Sequence, residues 1–294
     1  MSCPDCFRGG ISKSHPTGKE VTIHGVRTYV AEPEAGVTPK GIVVFITDAF
    51  GSDFVNNRVL CDHYAEGGFL VYCPDFMNGR ALSPAVLPIF DTLLAETSWL
   101  YRICVKPFLF FQALYYVAPW ILTCSPPKTE AGVFEYFRAL RTSPPPPSLA
   151  GKDLKIGAAG FCWGGKHTIE LAKDDPKHRV TRHSSQTLSS VPEPLIDAAF
   201  VAHPTYIKVP NDIESIRIPI SWSVGEEDLQ MKGPDVAKMK AILENKKDAE
   251  HDVQIIPGAK HGFATRHHPD DVEEAAAAEK AEQQAVSWFS RCFS

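Results

Sequence analysis

Residues 154–165 read LKIGAAGFCWGG, an apolar run that ends in a cysteine with glycines two positions away on either side. Gly160, Cys162 and Gly164 form the pattern Gly-x-Cys-x-Gly, the cysteine form of the sharp strand-to-helix turn called a nucleophile elbow. The apolar run predicts the strand that such a turn needs, and GGKHTIELAKDD (164–175) predicts the helix. A small thiol buried at a crowded turn fits the same letters. From this stretch alone, Cys162 is either a structural thiol or a nucleophile.

Apolar runs of strand length alternate with helical patterns on both sides of the elbow. Further strands are predicted at 41–47, 69–75, 196–204, 218–225 and 251–258, and further helices at 56–68, 235–247 and 268–293. Because these strands are continuously apolar rather than alternating, they indicate a mostly parallel sheet with helices on both faces. Residues 20–33 predict an antiparallel hairpin ahead of that sheet. We therefore predict an α/β fold, with residues 1–294 as a single domain.

A nucleophile at an elbow needs a general base and an acid that orients it, in the chain order nucleophile, acid, histidine. Such residues stand on loops at the carboxyl ends of the strands, which meet at one edge of a parallel sheet. Asp228 and His261 each follow a predicted strand in this order, and His203 ends another strand nearby. The combination predicts a Cys162–His261–Asp228 triad. It therefore favours a nucleophile over a structural thiol at Cys162.

Composition narrows the classes of function and the compartment. The net charge is -5, the sequence pI is about 6.1 and no basic block occurs, which argues against nucleic-acid binding. The N-terminal residues lack an apolar core typical of a signal peptide, so the 8 cysteines are expected to be free thiols in the cytoplasm. Cys3 and Cys6 form a CxxC pair without a second pair to complete a zinc site, so no metal is predicted.

The most apolar tract is PFLFFQALYYVAPWIL (107–122), interrupted by Gln112 and Pro119. It is shorter than the roughly 20 apolar residues of a membrane-spanning helix, so no stable membrane insertion is expected. We predict a buried or cleft-covering helix within a lid-like insertion, 82–127. Its aromatic side chains fit a substrate pocket, the core or a homodimer contact, with structural packing favoured over a pocket for any single one: Phe108, Phe110, Phe111, Tyr115, Tyr116 and Trp120.

Three motifs carry a resemblance to a known family. GFCWGGK (160–166), GEED (225–228) and HGFATR (261–266) together resemble the dienelactone hydrolase family, enzymes of the α/β-hydrolase fold with a Cys-Asp-His triad. From about residue 20 to the C-terminus the chain follows the family's order of elements, and CPDCFRGG (3–10) is similar to the opening of fungal members. The resemblance implies an α/β-hydrolase sheet and the same three catalytic residues.

The resemblance also implies how the site would handle the substrate. The backbone N–H groups of Ala49 and Trp163 would form the oxyanion hole. Asp48 stands where the family places a glutamate that holds or deprotonates the thiol of Cys162, and its arm is one methylene shorter. Phe50, in the same loop, is expected to contact the substrate, as is His203.

Two arginines are expected to bind a substrate carboxylate by the same resemblance. Arg266 follows the histidine motif and Arg80 follows the strand at 69–75, each offset by one residue from the bacterial lactonase pattern. The segment 82–127 is also longer and more aromatic than bacterial lactonases require. These departures argue against dienelactone itself as the substrate.

The sequence therefore predicts a cysteine hydrolase that cleaves a small-molecule ester or lactone through a thioester, without a cofactor. A second hypothesis keeps the site but replaces hydrolysis by isomerisation, cyclisation or acyl transfer under a lid that excludes water. A third hypothesis is a catalytically inactive binding protein that uses the aromatic segment as an interface. The intact nucleophile, acid and histidine argue against the third.

Overall fold

The computed structural model describes residues 7–145, 153–187 and 189–294. Cys3 and Cys6 lie outside the described residues. Within them, eight strands form one sheet in the order β1-β2-β4-β3-β5-β6-β7-β8. The strands are β1 (Lys19–Ile23), β2 (Val26–Ala31), β3 (Ile42–Ile46), β4 (Leu70–Pro74), β5 (Ile156–Phe161), β6 (Ala198–Ala202), β7 (Ile220–Gly225) and β8 (His251–Ile256).

The sheet is antiparallel at one edge and parallel elsewhere. β1 and β2 form the predicted hairpin, β2 pairs antiparallel with β4, and all other neighbours are parallel. The predicted mostly parallel sheet is thus confirmed. Because the carboxyl ends of its parallel strands share one edge, the loops after β3, β5, β7 and β8 come together there.

Helices cover both faces of the sheet. They are α1 (Val55–Glu66), α2 (Val86–Leu94), α3 (Trp99–Cys104), α4 (Lys106–Thr123), α5 (Pro126–Thr142), α6 (Trp163–Ala172), α7 (Asn211–Glu214), α8 (Gly233–Asn245), α9 (Phe263–Arg266) and α10 (Val272–Cys292). α1 and α10 contribute to the apolar cluster on one face, and α5, α6 and α8 to the cluster on the other.

Strand β3 explains why the central strands are apolar at every position. Ile42, Val44 and Ile46 belong to one apolar cluster, while Val43 and Phe45 belong to the cluster on the opposite face. Successive side chains of a strand point to opposite faces, so a sheet covered on both sides demands an apolar residue at each position. The continuously apolar pattern therefore predicts the central strands whose loops carry the site residues.

The segment between β4 and α5 is helical, but most of its aromatic side chains are not buried. α4 buries Ala113, Val117 and Trp120, whereas Phe108 and Tyr115 are 70% and 75% exposed. Packing in the core is therefore wrong for Phe108, Phe110, Phe111 and Tyr115 and correct for Trp120, and Tyr116 packs partly buried against the core. The expectation that the tract is a buried helix fails because only a narrow stripe of α4 faces the core. The lid role of 82–127 stays a prediction.

None of the helices in the described residues is by itself long and apolar enough to cross a membrane. α4 and α5, which are bent by 56° at their junction, meet the length and composition criteria only when taken together.

Candidate active site

Cys162 stands at a strained turn between β5 and α6. Its backbone has φ 50° and ψ −109°, a region that residues other than glycine rarely adopt. The Cys162 N–H donates to the Ala202 carbonyl (3.2 Å), and the Cys162 carbonyl accepts from the Thr205 N–H (3.0 Å). These bonds from the loop after β6 hold the strained conformation, as is common at functional turns. The elbow geometry expected from the sequence is present.

The elbow glycines are required by close packing. A Cβ atom on Gly164 would lie 2.0 Å from the Ile46 carbonyl oxygen, and one on Gly160 would lie 2.2 Å from Thr168 Oγ1. The Gly164 N–H donates to the Thr47 carbonyl (3.0 Å). The start of α6 therefore lies directly against the end of β3, which brings the loop carrying Asp48 and Ala49 beside the elbow.

Asp228 and His261 form a buried pair on the loops after β7 and β8. His261 Nδ1 lies 3.1 Å from Asp228 Oδ1 and 3.0 Å from Oδ2, and both side chains are fully buried. The two loops are tied together by the Glu227 N–H, which donates to the Ala259 carbonyl (2.9 Å). Gly225 permits this approach, because a Cβ atom there would lie 2.3 Å from the same oxygen.

The charge state of His261 depends on Cys162. Burial lowers the pKa of His261, but the charges of Cys162 and Asp228 and the hydrogen bonds to both outweigh burial and raise its pKa to about 10. Nε2 of His261 is buried, so the charge of Cys162 acts on the ring with little screening by water. The structure thus brings the three predicted residues into one electrostatic unit.

The two amides expected to form the oxyanion hole lie on adjoining loops. Trp163 is the first residue of α6, so its N–H has no acceptor within the helix. Ala49 is buried in the loop after β3, where its carbonyl accepts from the Leu82 N–H (2.8 Å). The Gly164–Thr47 bond holds these loops together. Stabilisation of an oxyanion by these amides stays a prediction.

Asp48 makes a dense set of contacts. Oδ1 accepts from the Phe50 N–H (3.1 Å) and from Asn57 Nδ2 (3.0 Å). Oδ2 accepts from Thr265 Oγ1 (3.2 Å) and forms an ion pair with Arg266 Nη1, with both charged side chains fully buried. The carboxylate balances a buried cation and fixes its own loop.

Arg266 does not fit its expected role as an open anion clamp. Its guanidinium is buried, pairs with Asp48, donates from Nε to the Arg8 carbonyl (3.1 Å) and lies 5.3 Å from the centre of the Phe50 ring. The reason is its position on α9, which turns the side chain back toward the loop after β3. Phe50 is likewise buried, against this guanidinium and the Phe54 ring (5.0 Å). Packing thus engages both Arg266 and Phe50, two of the residues that were expected to bind substrate.

His203 and Arg80 differ in their surroundings. The His203 ring is buried, packs edge-on against His261 with ring centres 5.0 Å apart, and has no hydrogen-bond partner for either nitrogen among the described residues. Burial, with the nearby charges of His261 and Arg266, holds the pKa of His203 well below its ordinary value, so the ring is neutral. Arg80 is exposed on the loop after β4.

Two residues of this region were not anticipated. Asn57 and Thr265 both bind Asp48, and both are buried polar side chains. Thr265 lies inside the histidine motif, so its position was a usable signal. Asn57 looked like one polar residue in an amphipathic helix, and only the tertiary structure turns it toward Asp48.

Comparisons with known proteins identify the family of this chain. The model of the dienelactone hydrolase family matches residues 26–100 and 148–293, which is more than half of the chain. The chain belongs to the dienelactone hydrolase family. The unmatched stretch between the two parts contains α4 and α5. Membership of this family makes the protein a hydrolase of carboxylic esters or lactones.

Relatives and solved structures cover nearly the whole chain at low identity. Hydrolase pyvD of Aspergillus violaceofuscus is 24% identical over 97% of this chain and 95% of its own length. Dienlactone hydrolase 1 of Gibberella moniliformis is 23% identical over 97% of this chain and 91% of its own length. A putative dienelactone hydrolase structure from Klebsiella pneumoniae has a TM-score of 0.57 and 19% identity, covering 94% of this chain and 99% of that one. The structural likeness supports the α/β-hydrolase fold of this family.

Proposed function

We propose that the protein hydrolyses a carboxylic ester or lactone through a thioester on Cys162, with His261 and Asp228 as its proton-handling pair. The observation that carries this proposal is the fully buried His261–Asp228 pair, whose histidine pKa is raised to about 10 partly by the charge of Cys162. A histidine that stays protonated at neutral pH beside a thiol favours the thiolate, which is the reactive form of cysteine.

The reaction begins with attack of the Cys162 thiolate on the substrate carbonyl carbon. The resulting oxyanion accepts hydrogen bonds from the Ala49 and Trp163 amides. Collapse of the tetrahedral intermediate breaks the C–O bond, and the departing alkoxide takes the proton of His261. Neutral His261 then removes a proton from water, which attacks the thioester, and the carboxylic acid leaves as the thiolate–imidazolium pair forms again. One water is added, and the scheme uses only side chains and backbone amides of this chain.

Asp48 has a structural role in this proposal. Its bonds to the Phe50 N–H and to Asn57 brace the loop that carries Ala49, and its pairing with Arg266 ties that loop to α9. A fixed oxyanion hole is worth more than a mobile one, because its donors need not reorganise during the reaction. Asp48 therefore supports catalysis through the position of Ala49.

A second candidate keeps the thioester but transfers the acyl group within the substrate. The observation that favours it is the low exposure of Cys162, only 2%, which limits the access of water. The end of α4 lies against the elbow, where Trp163 Nε1 donates to the Cys124 carbonyl (2.6 Å). Isomerisation or cyclisation would leave the product mass unchanged, and transfer to another acceptor would add no water.

The test uses a panel of activated esters and lactones of graded size, with product masses recorded in ¹⁸O-labelled water. Hydrolysis through Cys162 predicts one ¹⁸O in the acid product and loss of turnover in Cys162→Ala. Cys104→Ala removes an exposed thiol and serves as the matched control, with full activity expected. Asp228→Asn should lower kcat by about 10³-fold or more, because His261 loses its orienting partner. Full activity in Cys162→Ala would overturn the proposal.

A further inference from the structure

α3 and α4 present a continuous apolar surface, called here the outer face. Each of its side chains is at least 49% exposed. The outer face consists of Trp99, Leu100, Ile103, Phe108, Phe110, Phe111, Leu114, Tyr115, Ile121 and Leu122. Large apolar side chains scattered singly over a surface are ordinary, but ten of them on two successive helices are not.

The spacing along α4 shows that the exposed residues form one broad side of the helix. Phe108, Phe111 and Tyr115 recur at three- and four-residue intervals, and Phe110 and Leu114 form a second, adjoining row. The opposite side contacts the core. A helix that is apolar on every side is normally buried, so the outer face lacks a covering partner.

The size of the outer face matches a protein–protein interface. If each of the ten side chains leaves on the order of 100 Å² in water, the face presents roughly 1,000 Å² of apolar surface. The largest apolar patch on a typical monomer is about 300–600 Å², whereas a stable complex buries about 800 Å² on each partner. The outer face is therefore larger than the apolar patch of a typical monomer, and large enough for one partner's share of a stable complex.

Charge points to the identity of the partner. Between residues 99 and 123 the only charged side chains are Arg102 and Lys106, and Lys106 Nζ is engaged by the carbonyls of Leu93 and Ala95 (2.7 Å each). In a two-fold dimer a patch meets its own copy, so a nearly uncharged patch avoids self-repulsion. A helix that binds a lipid surface instead carries a basic polar face, and the net charge of this chain is -5.

We infer that the outer face is the interface of a homodimer in which α3 and α4 of two copies pack against each other. Depletion of charge and enrichment in Phe, Tyr and Trp are the features of a buried interface core. α4 also reaches the elbow, because Cys124 at its end accepts from Trp163 Nε1. Docking of a second copy therefore fixes the helix that lies against the elbow, whichever reaction Cys162 performs.

The test measures the mass of the full chain in solution by light scattering and by sedimentation equilibrium over a range of micromolar concentrations. The wild type should have twice the chain mass of 32.4 kDa. Phe111→Glu/Tyr115→Glu should be monomeric, with the dissociation constant raised at least about a hundredfold, because two copies of each carboxylate would be buried together. Val272→Glu, at an 82% exposed valine on α10, is the matched control and should remain dimeric.

Circular dichroism and the melting temperature separate loss of the interface from loss of the fold. Because the substituted side chains are exposed in one copy, the double variant should keep a folded monomer's spectrum. A monomeric wild type across the range, or a double variant that stays dimeric, would overturn the inference. Sedimentation with neutral and with phosphatidylserine-containing vesicles forms a second arm. A wild-type monomer that binds vesicles, beside a double variant that does not, would replace the dimer by a membrane contact.

Discussion

Asparagine in place of Asp48 tests whether the buried pair with Arg266 holds the loop after β3 in place. Asp48→Asn keeps the shape of the side chain, and its carbonyl oxygen can still accept from Phe50 and Asn57. It removes the carboxylate that balances a guanidinium whose own side chain is fully buried. Breaking a buried pair at one partner costs about 3–5 kcal/mol. With an m value of about 3 kcal/mol/M, the urea midpoint should fall by roughly 1–1.7 M.

The assay is urea unfolding followed by circular dichroism and by tryptophan fluorescence. Asp270→Asn is the matched control, because its ion pair with Lys13 is 81% and 72% exposed and should change the free energy of unfolding by less than about 0.5 kcal/mol. Arg266→Met should recover part of the loss in the double variant, since no buried charge then remains unpaired. If Asp48→Asn unfolded at the wild-type midpoint yet lost its thiolate, the structural role would be refuted and thiol activation favoured.

Three further substitutions and one control, Gly132→Ala, test the elbow and the histidines. Gly164→Ala should cost at least about 3 kcal/mol in urea unfolding, because its Cβ would lie 2.0 Å from a backbone oxygen. Gly132→Ala in α5, which meets nothing within 4 Å, should instead add about 0.5–1 kcal/mol. His261→Asn should slow the alkylation of Cys162 at about pH 7 at least tenfold, because the cation that favours the thiolate is lost. His203→Phe keeps the ring contact with His261 and removes no ring hydrogen bond to a described residue, so stability should change by less than about 1 kcal/mol.

The pH dependence of alkylation follows from the raised pKa of His261. With that pKa raised to about 10, the imidazolium persists through neutral pH and is lost only as the pH rises through that value. The wild-type rate should therefore stay level between about pH 7 and 9, while the His261→Asn rate climbs with pH as for an ordinary thiol. Peptide mass spectrometry distinguishes Cys162 from the other thiols. A wild-type rate that climbed in parallel with the variant would contradict the charge pairing.

The fold was predictable because its signals are local. The runs 41–47 and 69–75 are apolar at successive positions because the sheet is covered on both faces. β3 and β4 lie within these two runs. The site was predictable for a related reason: strand ends of a parallel sheet meet, so Cys162, Asp228 and His261 could be brought together from chain order alone.

The side-chain contacts that the sequence did not predict depend on the direction in which each helix runs in the folded protein. The histidine motif gives the position of Arg266 in the chain, but only the path of α9 turns its guanidinium toward Asp48. Phe108 and Tyr115 are large apolar residues of the kind found in cores, and nothing in the local sequence shows that α4 turns them to its exposed side. Their exposure is a property of the assembled helices. Sequence patterns give residue types and positions, whereas the partner of each side chain depends on packing.

The central claim is that an acyl group is carried by the sulfur of Cys162. Intact-protein mass spectrometry after rapid mixing with an activated ester, followed by peptide mapping, tests it most directly. We expect a transient mass increase equal to the mass of the acyl group, located on Cys162 and absent in Cys162→Ala. Turnover without such an adduct on any cysteine, or an adduct that persists in Cys162→Ala, would contradict it.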